Sequence, residues 1–302
     1  MVKRVFVNKD NAKGPWDGNS WKTSFRSLQT ALLKAPRGGE IWVAKGTYYP
    51  TEGDDRYASF VLREHVELYG GFDGTEEDLS QRDWEKNETI LSGNVGDKNN
   101  PKTNSFHVVT GANDAVIDGF VITEGNGLDG VPNAPWAQQN EGPPPPKSDS
   151  GSDEEDEEPM IHLTPDMVVN LMEEAAGAGM VIYQCAPTVR NCVFRDNVGA
   201  KGAGLYVMTS TRDENGDLHT NEAPDIINCE FRNNFALKRG GGVSNDMKTH
   251  PRYFNCKFMY NKCHEKGGGL YNDFECSPTI TSCLFVGNSA VMSAAMGNDG
   301  DS

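Results

Sequence analysis

The chain has 302 residues, 36% of them hydrophobic, and a formal net charge of −16. That charge argues against nucleic acid and anionic membrane as partners. No stretch approaches the roughly 20 apolar residues that cross a bilayer as a helix.

The chain opens on Met1-Val-Lys-Arg, followed by only Val5, Phe6 and Val7 before Asn8-Lys9-Asp10. This lacks a signal-peptide core and leaves open a cytoplasmic protein or one whose leader has been removed. Lys3 to Asn8 reads as a first strand. Thr23 or Ser24 then starts a helix, with Phe25, Leu28, Ala31, Leu32 and Ala35 on one face. Pro36 and Gly38-Gly39 stop it. Further strands are predicted over Ile41 to Tyr49, Val61 to Tyr69, Thr89 to Ser92, Phe106 to Val109 and Ala115 to Thr123.

Residues 127–176 break this pattern. Gly142-Pro143-Pro144-Pro145-Pro146 is stiff and extended. Ser148 to Glu158 is acidic and has no apolar residue, so it cannot bury a core. Thr164-Pro165-Asp166 is a helix start, and Met167, Val168, Leu171 and Met172 give the helix one apolar face. The plain reading is a loop whose helix folds back on the domain. The sharper one is a partner-docking helix at 160–176 on an acidic tether.

From Gly177 to about Ala290 the sequence repeats. Pro187, Pro224, Pro251 and Pro278 are each followed at 5, 7 and 10 residues by Cys, Phe and Asn: Cys192, Phe194, Asn197; Cys229, Phe231, Asn234; Cys256, Phe258, Asn261; Cys283, Phe285, Asn288. Before each proline runs a small-residue segment ending in an apolar residue, such as Gly267-Gly268-Gly269-Leu270. Such self-similarity marks a solenoid. Short β-rich runs between Gly, Asn and Pro favour strands over helices. Coils stacked about 4.8 Å apart would ladder Phe on Phe, Cys on Cys and Asn on Asn. Asn191, Asn228 and Asn255, with Ser282 in the fourth copy, would share one bend. Val291 to Asn298 resembles one more glycine-run segment. Without a cover, a last coil exposes sheet edges and core; a longer parent chain, a local non-repetitive cap, or a contact of residues 291–302 with another copy or an assembly partner would each supply one. At the other end, the first helix reads as the cap.

The pairing of Gly-Gly-(Ala/Gly)-apolar with Phe-x-x-Asn, carried by Phe194-Arg-Asp-Asn197 and its three counterparts, resembles the repeats of polymorphic outer membrane proteins. Those belong to the right-handed parallel β-helix, or pectate-lyase-like, superfamily. Trp21 to Tyr48, Leu68 to Thr75 and Gln81 to Asn94 look like the cap and first coils of bacterial surface β-helix proteins. The resemblance implies an all-β right-handed parallel β-helix: cap and first coils over 1–126, the insertion over 127–176, and repeats over 177–302 of the same single solenoid domain. It also implies a secreted or cell-surface location, with cytoplasmic as the alternative.

The seven cysteines read as structural thiols. Cys185 and Cys276 share a repeat position three coils apart, beyond disulfide reach. Cys263 has no match, and no spacing for zinc occurs.

Enzymes of this fold need carboxylates poised on adjacent coils, or a calcium site with a base. The candidates are Asp114, Asp118, Glu124, Asp196 and Arg195. Asp118 reads as a turn residue, Arg195 and Arg232 as repeat decoration, and His107 as a satisfied strand residue. His65, His107, His162, His219, His250 and His264 form no spacing motif, and no Asp or Glu is seen to recur at one position in successive coils. No catalytic, cofactor-binding or metal-ligating residue is assigned. The expectation is a non-enzymatic structural or adhesive module meeting a protein or glycan surface. A polysaccharide lyase or hydrolase, and an intracellular assembly component docking through the 160–176 helix, stay open.

Overall fold

The structure, a computed structural model, describes residues 3–128, 175–213, 217–220 and 222–299. Short strands stack into three long sheets, one of eight strands and two of seven. The first runs from Arg4–Val7 to Thr279–Thr281, the second from Gly46–Tyr48 to Leu284–Val286, the third from Phe60–Val61 to Met296–Asn298. Every neighbouring pair within them is parallel, and successive partners belong to successive coils. The chain is therefore an all-β parallel β-helix. Among the described residues, only Thr211–Arg212 and Leu218–His219 pair antiparallel.

The repeat spacing sets the register. Phe194 pairs with Phe231, Phe231 with Phe258, and Phe258 with Phe285. Their rings stack at 4.9, 5.1 and 4.5 Å, within 10° of parallel. These spacings bracket the strand separation of about 4.8 Å, so one ring per coil fills the core without a gap. The bend before each Cys is left-handed, with φ of 52°, 53°, 53° and 54° at Asn191, Asn228, Asn255 and Ser282. Asn tolerates that conformation. It also links coils here: Asn228 Nδ2 donates to Asn191 Oδ1 at 2.6 Å, and Asn255 Nδ2 to Asn228 Oδ1 at 3.0 Å.

The last glycine of each run is required by close approach. A Cβ at Gly179, Gly204, Gly242 or Gly269 would lie 2.4 to 2.6 Å from a carbonyl oxygen of the next coil. Beside each of these glycines stands the Asn of Phe-x-x-Asn. The Cys side chains point inward, and Cys192, Cys229 and Cys256 are buried. All seven cysteines are free thiols.

The capping helix starts later than its apolar pattern suggests. It spans Leu28–Lys34, and the Ser27 side chain accepts from Thr30 N. Phe25 belongs instead to the first strand's edge, where Phe25 N donates to Phe6 O and Asn8 N to Phe25 O. Backbone pairing claims Phe25 before the helix can. Leu28, Ala31 and Leu32 are buried over the first coil.

Coils from either side of the 129–174 stretch pair directly: Met180 with Val109, Val189 with Ile117, and Phe194 with Ile122. The proline run, the acidic run, His162 and the helix at 160–176 lie outside the described residues, except for Ala175 and Ala176. Residues 300–302 also lie outside.

Candidate functional site

Three polar clusters contain the residues that could carry chemistry.

The first is a cleft of about 500 Å³ at one corner of the solenoid, lined by Glu64, His65, Asp114, Cys185 and Glu222 among others. Left-handed residues turn this corner in successive coils: His65 (φ 56°), Asp114 (φ 54°) and Gln184 (φ 53°). His65 N donates to Asn113 O, and Ala186 N to Asn113 Oδ1. The backbone thus brings His65 and Asp114 together, with Nδ1 3.4 Å from Oδ2. Arg37 holds Nε2 of the same ring and sits 3.6 Å from Glu64. Both imidazole nitrogens are engaged, so the ring has no free position for a substrate. Burial pushes the Cys185 thiol up to about 12, so it is not a thiolate nucleophile near neutral pH.

The second cluster surrounds Asp118, which is not the turn residue the sequence suggested. It closes the strand Val116–Asp118, and Gly119, with φ +82°, makes the turn. The Asp118 side chain is 2% exposed. It lies 2.6 Å from Arg82 Nη2 and 2.5 Å from Arg190 Nε, and it accepts from Asn191 Nδ2 at 2.8 Å. Asp118 therefore ends the bend ladder of asparagines. Arg190 reaches on to the Tyr69 hydroxyl, which donates to Glu67. A carboxylate clamped by two guanidiniums is a buried structural ion, not a base in waiting.

The third cluster corrects the sequence reading that acids do not recur. Asn245, Asn272 and Asn298 stand in register, and Asp246, Asp273 and Asp299 follow them in one row. Each acid meets a cation from the preceding coil: Asp246 and Lys201 at 3.1 Å, Asp273 and Arg239 in close contact, Asp299 and Lys266 at 3.4 Å. Tyr206 donates to Asp246 and Tyr271 to Asp299. The Tyr271 bond, helped by Lys266, holds the Asp299 carboxyl below its ordinary value. Sequence matching anchored on proline missed this row because it stopped at the glycine runs. The recurring Asn-Asp pair two residues beyond them was the available signal.

Glu124 and Asp196 are neighbouring rungs of another left-handed corner, with φ of 62° and 57°. Ser92 Oγ donates to the Glu124 carboxylate at 2.5 Å, and Asn94 Nδ2 lies 3.5 Å from it. Ser92 belongs to the preceding coil, whose strand pairs with that of Glu124's coil. Arg195 stacks in register with Arg232. His107 is buried, and its Nδ1 lies 3.1 Å from Gly177 O. Among the described residues, no group of three or more His, Cys, Asp or Glu side chains can hold a metal ion.

The stacked strands and side-chain ladders define a parallel β-helix protein. A family model described as protein of unknown function (DUF1565) matches residues 11–253, and the chain belongs to that family. No curated protein and no solved structure matches it.

Proposed function

We propose that this protein is a non-enzymatic β-helix scaffold, a structural or adhesive module of a surface or extracellular assembly. One observation carries the proposal: three of the four acids weighed for catalysis have side-chain partners within the fold. Asp118 lies between two arginines, Glu124 is held by Ser92, and Asp114 faces an imidazole whose other nitrogen is taken. General acid–base work needs a group free to exchange its proton with substrate. The surface placement is supported by the likeness to surface β-helix repeats. Family membership leaves the activity open.

The test is turnover of uronate-containing polysaccharides, with and without calcium. No ultraviolet-absorbing product is expected from the intact protein. Product that disappears on Asp114→Ala would replace this reading with a lyase centred on the corner cleft.

A further inference from the structure

One coil of this acidic chain carries only positive charge. Residues 247–264 contain no Asp or Glu, although the chain has 44 acids against 28 Lys and Arg. Lys248 and Arg252 of that coil are taken by acids of neighbouring coils, Glu275 and Asp225. Lys257 and Lys262 are exposed, with no acid partner among the described residues. The next coil offers them none: residues 276–298 hold no acid, and Asp299, just beyond, is held by Lys266 and Tyr271. Coils on both sides of 247–264 are described, so this is a flank of the solenoid and not an end.

Lys257 stands on the outer side of the second long sheet, in register with Glu230. The column beside it holds Arg195, Arg232 and Met259. Glu230 lies 2.9 Å from Arg232 and is engaged there. Arg195 has no acid partner among the described residues, and its Nε is buried without a hydrogen bond. Apolar groups sit between these cations: Met259 is partly buried and Tyr260 is 56% exposed. Tyr260 turns the corner with φ 55°, at the rung where other coils place Asp196, Asn233 and Gly287. Those residue types tolerate the left-handed conformation, whereas a tyrosine is strained in it. The ring lies against Gly287, where an added Cβ would fall 2.5 Å from its Cδ1. The corner thus keeps a costly residue that holds an aromatic ring open to solvent.

We infer that this flank, around Arg195, Lys257, Met259, Tyr260 and Lys262, binds an extended acidic segment of a partner polypeptide. The inference rests on the scaffold reading and names its partner's chemistry. Charge selects acids, because three cations lack partners on a chain whose net charge is −16. The rest of the surface repels a polyanion, so the partner's acids must be confined to a short segment facing this flank. Spacing selects a polypeptide. Lys257 and Met259 are two residues apart on one strand and so present a cation and an apolar group about 6.6 Å apart. An extended peptide presents its alternate side chains at that same interval. A segment alternating acidic and apolar residues therefore meets Lys257 and Met259, then Tyr260 and Lys262, in step.

The experiment is fluorescence anisotropy of the whole chain with a labelled peptide alternating Glu and Leu. Two competitors accompany it: a peptide of the same composition with its Glu in one block, and a uronate oligosaccharide of equal charge. Lys257→Glu and Tyr260→Asn are measured beside the intact protein, with circular dichroism and melting to confirm that each is folded. The alternating peptide should bind, and more weakly as salt rises. Lys257→Glu should weaken it about tenfold or more by setting acid against acid. Tyr260→Asn should weaken it several-fold yet melt no lower than the intact protein, since Asn tolerates the left-handed corner. A purely structural Tyr260 would do the reverse, lowering the melting temperature and leaving affinity unchanged. No binding of the alternating peptide, normal binding by folded Lys257→Glu, or tighter binding of the block peptide or the sugar would overturn the inference. Cleavage of the sugar would instead overturn the scaffold reading alone.

Discussion

Asn197 donates through Nδ2 to Asn234 Oδ1 at 3.0 Å, and its backbone N–H reaches the same oxygen at 3.1 Å. Asn234 repeats both bonds onto Asn261, and Asn261 onto Asn288. Each amide also donates back to the preceding coil, as Asn234 Nδ2 does to Phe194 O. At its start the ladder closes on Gly125 N, which donates to Asn197 Oδ1. One fully satisfied column thus ties five coils together inside the protein.

Asn234→Ala should cost roughly 3 kcal/mol or more, because it strands two buried donors of Asn197 and the carbonyl of Phe194. Asn288→Ala, at the partly exposed end, should cost less. Chemical denaturation of the two variants checks the order. Equal, small losses would mean that water readily replaces the ladder.

Asp118→Asn should destabilise by roughly 3 to 5 kcal/mol, the usual result of removing one partner from a buried ion pair. Here it leaves Arg82, with a 7% exposed side chain, facing Arg190. Arg190→Met tests the converse, since it relieves that repulsion; combined with Asp118→Asn it should recover part of the loss. Additive losses in thermal melts would refute the coupling.

Thiol labelling separates the cysteines. Burial raises Cys256, Cys185 and Cys276 to about 12, and Cys229 well above its ordinary value. At pH 8 a thiol of pKa near 12 is thiolate only about one part in ten thousand. Cys283 alone is partly exposed. One cysteine per chain should therefore label quickly under native conditions, and a mass spectrum should place it at Cys283.

Acid should weaken the fold through His107. Burial lowers its pKa below the ordinary value of 6.5, opposed in part by the Gly177 carbonyl. The native ring stays neutral while the unfolded ring takes a proton. The contribution is therefore fully present above about pH 6.5 and is lost as pH falls below it. His107→Asn should flatten the stability profile between about pH 5 and 6.5, and an unchanged slope would assign it to other groups.

Much of this fold is legible in the sequence because a stacked coil repeats its chemistry. Cys-x-Phe-x-x-Asn shows four times, and each residue type occupies one rung of a ladder. The left-handed bend is legible for the same reason, since Asn recurs there. What fails to show has irregular spacing. Arg82 and Arg190 reach Asp118 from 36 and 72 residues away in sequence, and the early coils differ in length. The His65–Asp114 contact depends on two corners that share no motif. Phe25 fits the helical pattern, but the edge of the first strand captures it. The acid row at Asp246, Asp273 and Asp299 was visible as a repeated Asn-Asp but fell outside the proline-anchored alignment.

The most direct measurement is amide hydrogen exchange of the full chain with and without a uronate oligosaccharide, the sugar being followed for cleavage. If the protein is a non-enzymatic scaffold, the sugar should stay intact and exchange at the corner, residues 64–65, 113–114 and 184–186, should be the same with and without it. Protection appearing at that corner together with cleavage of the oligosaccharide would contradict it.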